Sequence, residues 1–351
     1  MSTNTGGYKN AGVDIELAED LLTSVKSTIK KTHRKEVIDS TNLFGGLFQL
    51  DLTRYHEPVL VSSIDGVGTK LLLANVMNSF RSIGFDLVNH CINDIACQGA
   101  EPLYFMDYLG IGKLRNPLFE EVITGLAEAC QNHSITLLGG ETAEMPGMYG
   151  QDYDLVGAIT GIVDKPRLIT GKKIQPGNAI VGLGSNGLHT NGFSLARNVL
   201  FEKCNYLHDK VLNDTTETLG QVLMKPHLCY WPAIKKALAG DLPIYGIAHI
   251  TGGGLYSNIR RILPDNLDAI IDRSRFPCPD IFKLIQQKGE ISDYEMYKVF
   301  NMGIGMVWII KSDTVDSTLS ICRNAGFIAD CIGEIVNGSK KVRVKGIETK
   351  L

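Results

Sequence analysis

The chain has eight cysteines but no Cys-x-x-Cys pair among them: Cys91, Cys97, Cys130, Cys204, Cys229, Cys278, Cys322 and Cys331. A zinc ribbon and a thioredoxin-type motif are therefore excluded. Several of these cysteines fall in apolar periodic segments, where a free thiol acts as a small hydrophobe, so a reduced, cytoplasmic chain is expected. No run approaches the roughly 18 apolar residues of a membrane span. The opening stretch MSTNTGGYKNAG has neither a basic start nor an apolar core, and does not read as a secretory signal. Neither sign of charge is in excess, since 35 Lys and Arg face 38 Asp and Glu for a net charge of −3. That balance argues against nucleic-acid backbone binding as the main task, while leaving room for a local phosphate pocket. Short repeats and low-complexity tracts are absent. A hydrophobic content of 44% excludes disorder of the whole chain.

Glycine is what the chain has in quantity: 37 of 351 residues, clustered in short non-periodic runs, as where backbone must approach a ligand closely. The length suggests two domains. The polar, turn-rich stretch TGKKIQPGN marks a boundary near Thr170, giving expected domains over 1–170 and 171–351. In the first, a helix is expected over 15–31, with Asp14 as N-cap and Ala18, Leu21, Leu22, Val25 and Ile29 as its apolar stripe. A strand over 58–64 runs into DGVGTK. A second helix carries Ile83, Leu87, Val88, Cys91, Ile92 and Ile95. A strand over 102–111, a helix over 117–132 and the strands ITLLGG and YDLVGAITGIV follow. The second domain reads as strand AIVGL, a glycine-rich turn and a helix from near Asn191, then strand IYGIAHI and another helix. A β-α-β unit closes it: GIGMVWII, a helix over 314–324, and FIADCIGEIV. The expected class is a two-domain α+β and α/β protein.

Five constellations carry chemistry. In Asp65-Gly66-Val67-Gly68-Thr69-Lys70 a strand ends in a carboxylate, two glycines bend the backbone and a cation follows. These are parts a Mg²⁺-polyphosphate needs, although the same residues also suit an ordinary turn. It is not a Walker A loop, for no G-x-x-x-x-G-K-[ST] occurs in the chain. Asp94 projects along the same helix line as Leu87 and Cys91, so its carboxylate needs a compensating group. A metal shared with Asp65 would supply one, and His90, one turn earlier, is a rival partner. Glu141 follows Gly139-Gly140 at the expected end of a strand, facing a ligand, while Glu144 suits a structural cap. Gly182-Leu183-Gly184-Ser185-Asn186-Gly187 matches G-x-G-x-x-G, but no acidic residue ends a second strand about 20 residues on, which excludes a dinucleotide fingerprint. Feeding His189-Thr190-Asn191-Gly192 and a helix, it suits a monophosphate or substrate loop. Ala248-His249-Ile250-Thr251-Gly252-Gly253-Gly254 is a second strand–glycine–helix junction, with His249 as a phosphate contact or proton carrier. Phe44-Gly45-Gly46-Leu47 is a further glycine pair.

Taken in order, these motifs resemble those of the phosphoribosylformylglycinamidine cyclo-ligase (AIR synthetase) family. The resemblance covers nearly the whole chain. It runs through YKNAGVD from Tyr8, DGVGTK, Asn93-Asp94, QGAEP from Gln98, GGETAEMPGMY from Gly139, HTNG, AHITGGG and FNMGIGM from Phe300. Departures are small: Thr190 stands where the family often has Ser, Ile64 where Thr is common and Asn10 where Asp is common. The resemblance implies an N-terminal domain whose sheet pairs with its twin in a homodimer as a shared barrel, beside a C-terminal α/β domain. It implies ATP-dependent closure of formylglycinamidine ribonucleotide to aminoimidazole ribonucleotide, with ATP and Mg²⁺ and with no nucleic-acid or membrane partner. Carried onto this chain, Asp65 and Asp94 hold Mg²⁺, and Lys70 neutralises phosphate. Gly66, Gly68, Thr69, Gly45, Gly46 and Asn93 line the nucleotide. Glu141 positions the metal or the amidine. Gly184, His189, Thr190, Asn191, Gly192, Gly252 and Gly253 bind substrate, and His249 carries a proton or contacts phosphate. The competing readings are another ATP-using synthetase of the same superfamily and a nucleotide-binding regulator without turnover.

Overall fold

A computed structural model of the chain describes residues 7–38, 43–212 and 216–347. The first six residues of the opening stretch lie outside them. Two compact units form, Met1–Ile92 with Pro102–Ile162, and Asn93–Glu101 with Val163–Leu351.

The first unit opens with α1 (Gly7–Asn10), α2 (Ile15–Lys30) and the short pair β1 (Val37–Ile38) and β2 (Leu47–Phe48). There follow β3 (Pro58–Gly66), α3 (Lys70–Met77), α4 (Arg81–Ala96), β4 (Glu101–Ile111), α5 (Leu118–Asn132), β5 (Thr136–Glu144) and β6 (Tyr153–Asp164). A four-stranded sheet runs in the order β3-β6-β4-β5. Asp14 caps α2 by accepting from the Leu17 N–H. Leu21 and Val25 of the expected stripe are buried, but Leu22 is exposed. The stripe is therefore narrower than its periodicity implies, because only one side of α2 is covered. Helices α4 and α5 fill the core with Ile83, Leu87, Val88 and Cys91 against Leu118, Val122, Leu126 and Cys130. They approach so closely that a Cβ on Gly84 would stand 2.2 Å from the Leu126 nitrogen, and one on Gly125 2.1 Å from the Arg81 carbonyl oxygen. Strand β3 alternates at period two, with Leu60, Ser62 and Ile64 on the exposed side. Leu60, Ile64 and Met106 of β4 are all exposed, leaving apolar side chains of the sheet without cover in the single chain.

The second unit contains β7 (Ala179–Gly184), α6 (Phe193–Arg197), α7 (Leu219–Leu223), α8 (Trp231–Ala239), β8 (Ile244–His249), α9 (Gly254–Ile262) and β9 (Leu267–Ile271). It ends with α10 (Asp280–Gly289), α11 (Asp293–Val299), β10 (Ile304–Ile310), α12 (Val315–Asn324), β11 (Ala329–Asn337) and β12 (Val342–Val344). Six strands form one sheet in the order β12-β9-β11-β7-β10-β8. Every residue of β7 and β10 is buried, which the unbroken apolar run GIGMVWII foreshadows. Strands β10 and β11 flank β7, both antiparallel to it, so the β10-α12-β11 unit straddles β7 rather than joining neighbours. Among the described residues of this sheet only β12 pairs in parallel, with β9. It is seated by the buried Asp268, which accepts from the backbone N–H groups of Ser339 and Lys341 and from Arg343. Burial alone would raise the Asp268 carboxyl; these donors hold it below the usual carboxylate range. Among the described residues no helix is long and apolar enough to cross a membrane, and no disulfide joins the eight cysteines.

Candidate active site

The DGVGTK segment joins β3 to α3 and is held from α4. Asp65, at the end of β3, folds back so that its Oδ1 accepts from the Gly66 N–H at 2.7 Å. Its Oδ2 lies 2.8 Å from His90 Nε2, with the imidazole buried and the carboxylate 39% exposed. One turn earlier on α4, Asp86 takes Lys70: Nζ donates to Oδ1 at 2.9 Å and lies 2.8 Å from Oδ2, both side chains being fully buried. Burial pulls the Lys70 ammonium below its ordinary pKa, and the Asp86 charge opposes that pull. Two residues of one helix, at i and i+4, thus grip two residues of one turn. Lys70 departs from the expectation of a phosphate-facing cation. It opens α3, and its side chain runs inward to a buried carboxylate, where a lone charge would be costly.

In the second unit a chain of hydrogen bonds runs through three imidazole contacts. Asp94, at the end of α4, has Oδ1 2.8 Å from His249 Nδ1, and its carboxylate is 29% exposed. His249 is thus a partner of Asp94 that the sequence did not offer. His249 ends β8, and its Nε2 lies 2.9 Å from His227 Nε2. His227 Nδ1 lies 3.3 Å from the Thr190 hydroxyl. The His189 ring stacks on His227 with centroids 4.0 Å apart and 28° between planes. His189 holds φ at +61°, a left-handed backbone that is uncommon for a residue with a side chain. All three histidines and Thr190 are buried. His227 was missed by sequence reasoning: a histidine after Pro226, outside any glycine run, offered no local signal.

The glycine-rich loops divide into those shaped by packing and those that leave space. The loop after β7 is clasped by Asn301, whose Nδ2 donates to the Gly187 carbonyl and whose Oδ1 accepts from the Ser185 hydroxyl and the Gly303 N–H. Gly184 is buried inside β7, and its carbonyl accepts from the Tyr230 hydroxyl. Asn191 is only partly buried, and a Cβ on Gly192 would meet the Phe300 ring at 2.3 Å. In the second junction Gly253 and Gly254 have φ of +94° and +56°, and a Cβ on Gly254 would strike the Tyr297 carbonyl oxygen at 2.1 Å. Gly252 has open space where a side chain would stand, as do Gly68 and Gly45, whereas Gly46 packs on Leu138. Gly66 is in ordinary contact with Leu155, and Thr69 is partly buried at the start of α3.

Two further residues stand differently from their expected places. Asn93 is fully buried, its Oδ1 accepts from the Tyr230 N–H and its Nδ2 donates to the Leu228 carbonyl, each at 2.8 Å. Its side chain is committed to the backbone of 228–230. Glu141 lies within β5 rather than at its end, on an exposed position. Glu144 acts as a structural clasp, accepting from the Asp14 and Leu114 N–H groups.

The chain matches the family models described as "AIR synthase related protein, N-terminal domain" over residues 51–163 and "AIR synthase related protein, C-terminal domain" over 175–345. A relative from Alkaliphilus oremlandii named phosphoribosylformylglycinamidine cyclo-ligase is 44% identical over 336 residues, covering 95% of this chain and 98% of its own. One of the same name from Trichlorobacter lovleyi is 44% identical over 341 residues, covering 97% of each chain. Among solved structures, a thiamine-monophosphate kinase from Stenotrophomonas maltophilia superposes with a TM-score of 0.68 at 18% identity, over 94% of this chain and 97% of that one. A hydrogenase maturation protein HypE in complex with ATP gives 0.67 at 14% identity, over 96% and 93%. Those two likenesses are of fold alone.

Proposed function

The chain belongs to the phosphoribosylformylglycinamidine cyclo-ligase family, and on that premise we propose that it uses ATP to close formylglycinamidine ribonucleotide into aminoimidazole ribonucleotide, releasing ADP and phosphate. The amide oxygen to be lost is a poor leaving group. Phosphorylating the formyl oxygen turns it into a good one, and when the neighbouring amidine nitrogen attacks the same carbon within one molecule the C–O bond breaks and phosphate departs. The protein's part is to hold the two ends together and offset charge.

The observation that carries this reading is the pair of partly exposed carboxylates, Asp65 and Asp94, each anchored by a buried imidazole. Carboxylates fixed by outer hydrogen bonds with an oxygen edge left open are hard donors of the kind Mg²⁺ takes. Asp65 and Asp94 would hold that ion, which supplies charge neutralisation to the phosphates. Gly66, Gly68 and Thr69 offer backbone approach to the nucleotide, with Gly45 and Gly46 as a second glycine surface. Lys70 contributes from inside, by fixing Asp86 and the turn. Exposed Glu141 orients the metal or the amidine. The loops at Gly184, His189–Gly192 and Gly252–Gly253 receive the ribonucleotide, and His249 touches its phosphate or moves a proton. The domains of this reading are 1–170 for nucleotide and dimer contacts and 171–351 for the remainder. Uncovered Leu60, Ile64 and Met106 on the first unit's sheet support a homodimer in which a twin sheet covers them. The setting of this reading is the cytoplasm.

Purified protein incubated with formylglycinamidine ribonucleotide, ATP and Mg²⁺ is expected to yield ADP and ring product in equal amounts. ADP without ring product would assign the chain to a different ATP-using reaction.

A further inference from the structure

We infer that His227 is a positioning residue for this site: it fixes the orientation and tautomer in which His249 presents Nδ1–H to Asp94, and ties that ring to the Thr190 hydroxyl. The inference rests on the reading that Asp94 and His249 serve the reaction. It assigns a role to a residue that none of the motifs contains.

Hydrogen-bond complementarity sets the direction of the chain. An ionised carboxylate only accepts, so the His249 nitrogen 2.8 Å from Asp94 Oδ1 carries its proton. A neutral His249 then has a bare Nε2. His227 Nε2 lies 2.9 Å from it and must donate. His227 Nδ1 is in turn bare and accepts from the Thr190 hydroxyl at 3.3 Å. With both rings neutral the donors run one way: Thr190 to His227, His227 to His249, His249 to Asp94. Because His227 and His249 are almost wholly buried, a mismatch along this line would leave a desolvated nitrogen unsatisfied.

His227 is itself held on three sides. One nitrogen meets His249, the other meets Thr190, and one ring face lies against His189. The His189 ring reaches that place through its left-handed backbone and because position 305 is glycine: a Cβ there would stand 2.7 Å from His189 Cε1. A ring so constrained cannot swing, and through His249 neither can the Asp94 carboxylate. Outer partners that orient a carboxylate in this manner typically change activity by about 10–100-fold when removed.

The test compares His227→Phe, which keeps a ring but no hydrogen bond, with His227→Gln, whose amide retains a donor and an acceptor. In the ring-closure assay, His227→Phe is expected to lower kcat by about 10–100-fold with KM for ATP within about twofold, and His227→Gln to recover most of the loss. The second readout needs no turnover. The proton NMR spectrum of the full chain in water should contain a far-downfield His249 Nδ1–H resonance, assigned by its loss in His249→Gln. It should persist in His227→Gln and shift or vanish in His227→Phe. Unchanged kcat in His227→Phe overturns the inference, as does a lowered kcat with the resonance unmoved. If His227→Phe does not fold, His227→Asn takes its place, since the shorter amide cannot reach His249; equal kcat and equal spectra for Asn and Gln then overturn it. A protein inactive in the assay but showing the expected spectral pattern refutes the proposed reaction and leaves the positioning intact.

Discussion

The turn that carries Asp65 and the histidine chain that carries Asp94 solve one problem by different means. In the first unit, partners lie close in sequence: Lys70 and Asp86 are 16 residues apart, and a single helix supplies both Asp86 and His90. In the second, Asp94 finds His249 across 155 residues, and His249 needs His227 and Thr190 from two other segments. The first is an anchor of full charges in a dry interior. The second is a line of hydroxyl and imidazole groups ending on a carboxylate, and its direction matters. The Lys70–Asp86 anchor should therefore report mainly on stability and the histidine line mainly on catalysis.

The strongest way to break that contrast is to neutralise the carboxylates themselves. Asp65→Asn and Asp94→Asn are each expected to lower turnover by more than about 100-fold while circular dichroism stays unchanged. Full activity in either variant removes that residue from the site. Next in size is the buried ion pair. Lys70→Met alone should cost about 3–5 kcal/mol in urea unfolding, because Asp86 is left charged and dry, whereas Lys70→Met with Asp86→Leu should recover most of it. A cheap single variant would mean that Asp86 has another source of charge compensation.

Smaller effects sharpen the comparison at the glycine junction. Gly254→Ala should lose about 1–3 kcal/mol of stability, since both its left-handed φ and the Tyr297 carbonyl oppose a methyl group. Gly252→Ala should stay within about 0.5 kcal/mol, so any activity it loses reports on substrate approach. A pH-dependent effect concerns Asp107 on β4, a carboxyl that burial pushes up to about 7 with its own backbone N–H in opposition. A carboxyl raised when folded takes up a proton on folding. Stability should therefore fall as pH rises from the ordinary 3.8 toward about 7, and level off above it. Asp107→Asn should flatten that slope in melting curves taken between pH 4 and 7.

Much of the fold was legible because its signals are local. The strands that lead into DGVGTK, GSNG and TGGG, and the helix over 118–132, follow from period and punctuation alone. What local pattern does not show is which distant group claims a polar side chain. Lys70 reads as a phosphate ligand until Asp86 is seen to hold it, and Asn93 reads likewise until the backbone of 228–230 is seen to use both its ends. Leu22 fits the helical stripe of α2, yet periodicity names a face without saying how wide its cover is. His227 is the extreme case, since its meaning exists only after β8 and the loop beyond β7 have met.

Asp268 gathers the backbone of Ser339 and Lys341 and so lays β12 along β9. Cutting the chain before Ser339 would do more than shorten it. The outer rim of β9 would be left as a bare row of amide donors and carbonyls, inviting a strand from a neighbouring molecule. A three-residue strand thus guards the protein against clumping, and the carboxylate that pins it is the latch.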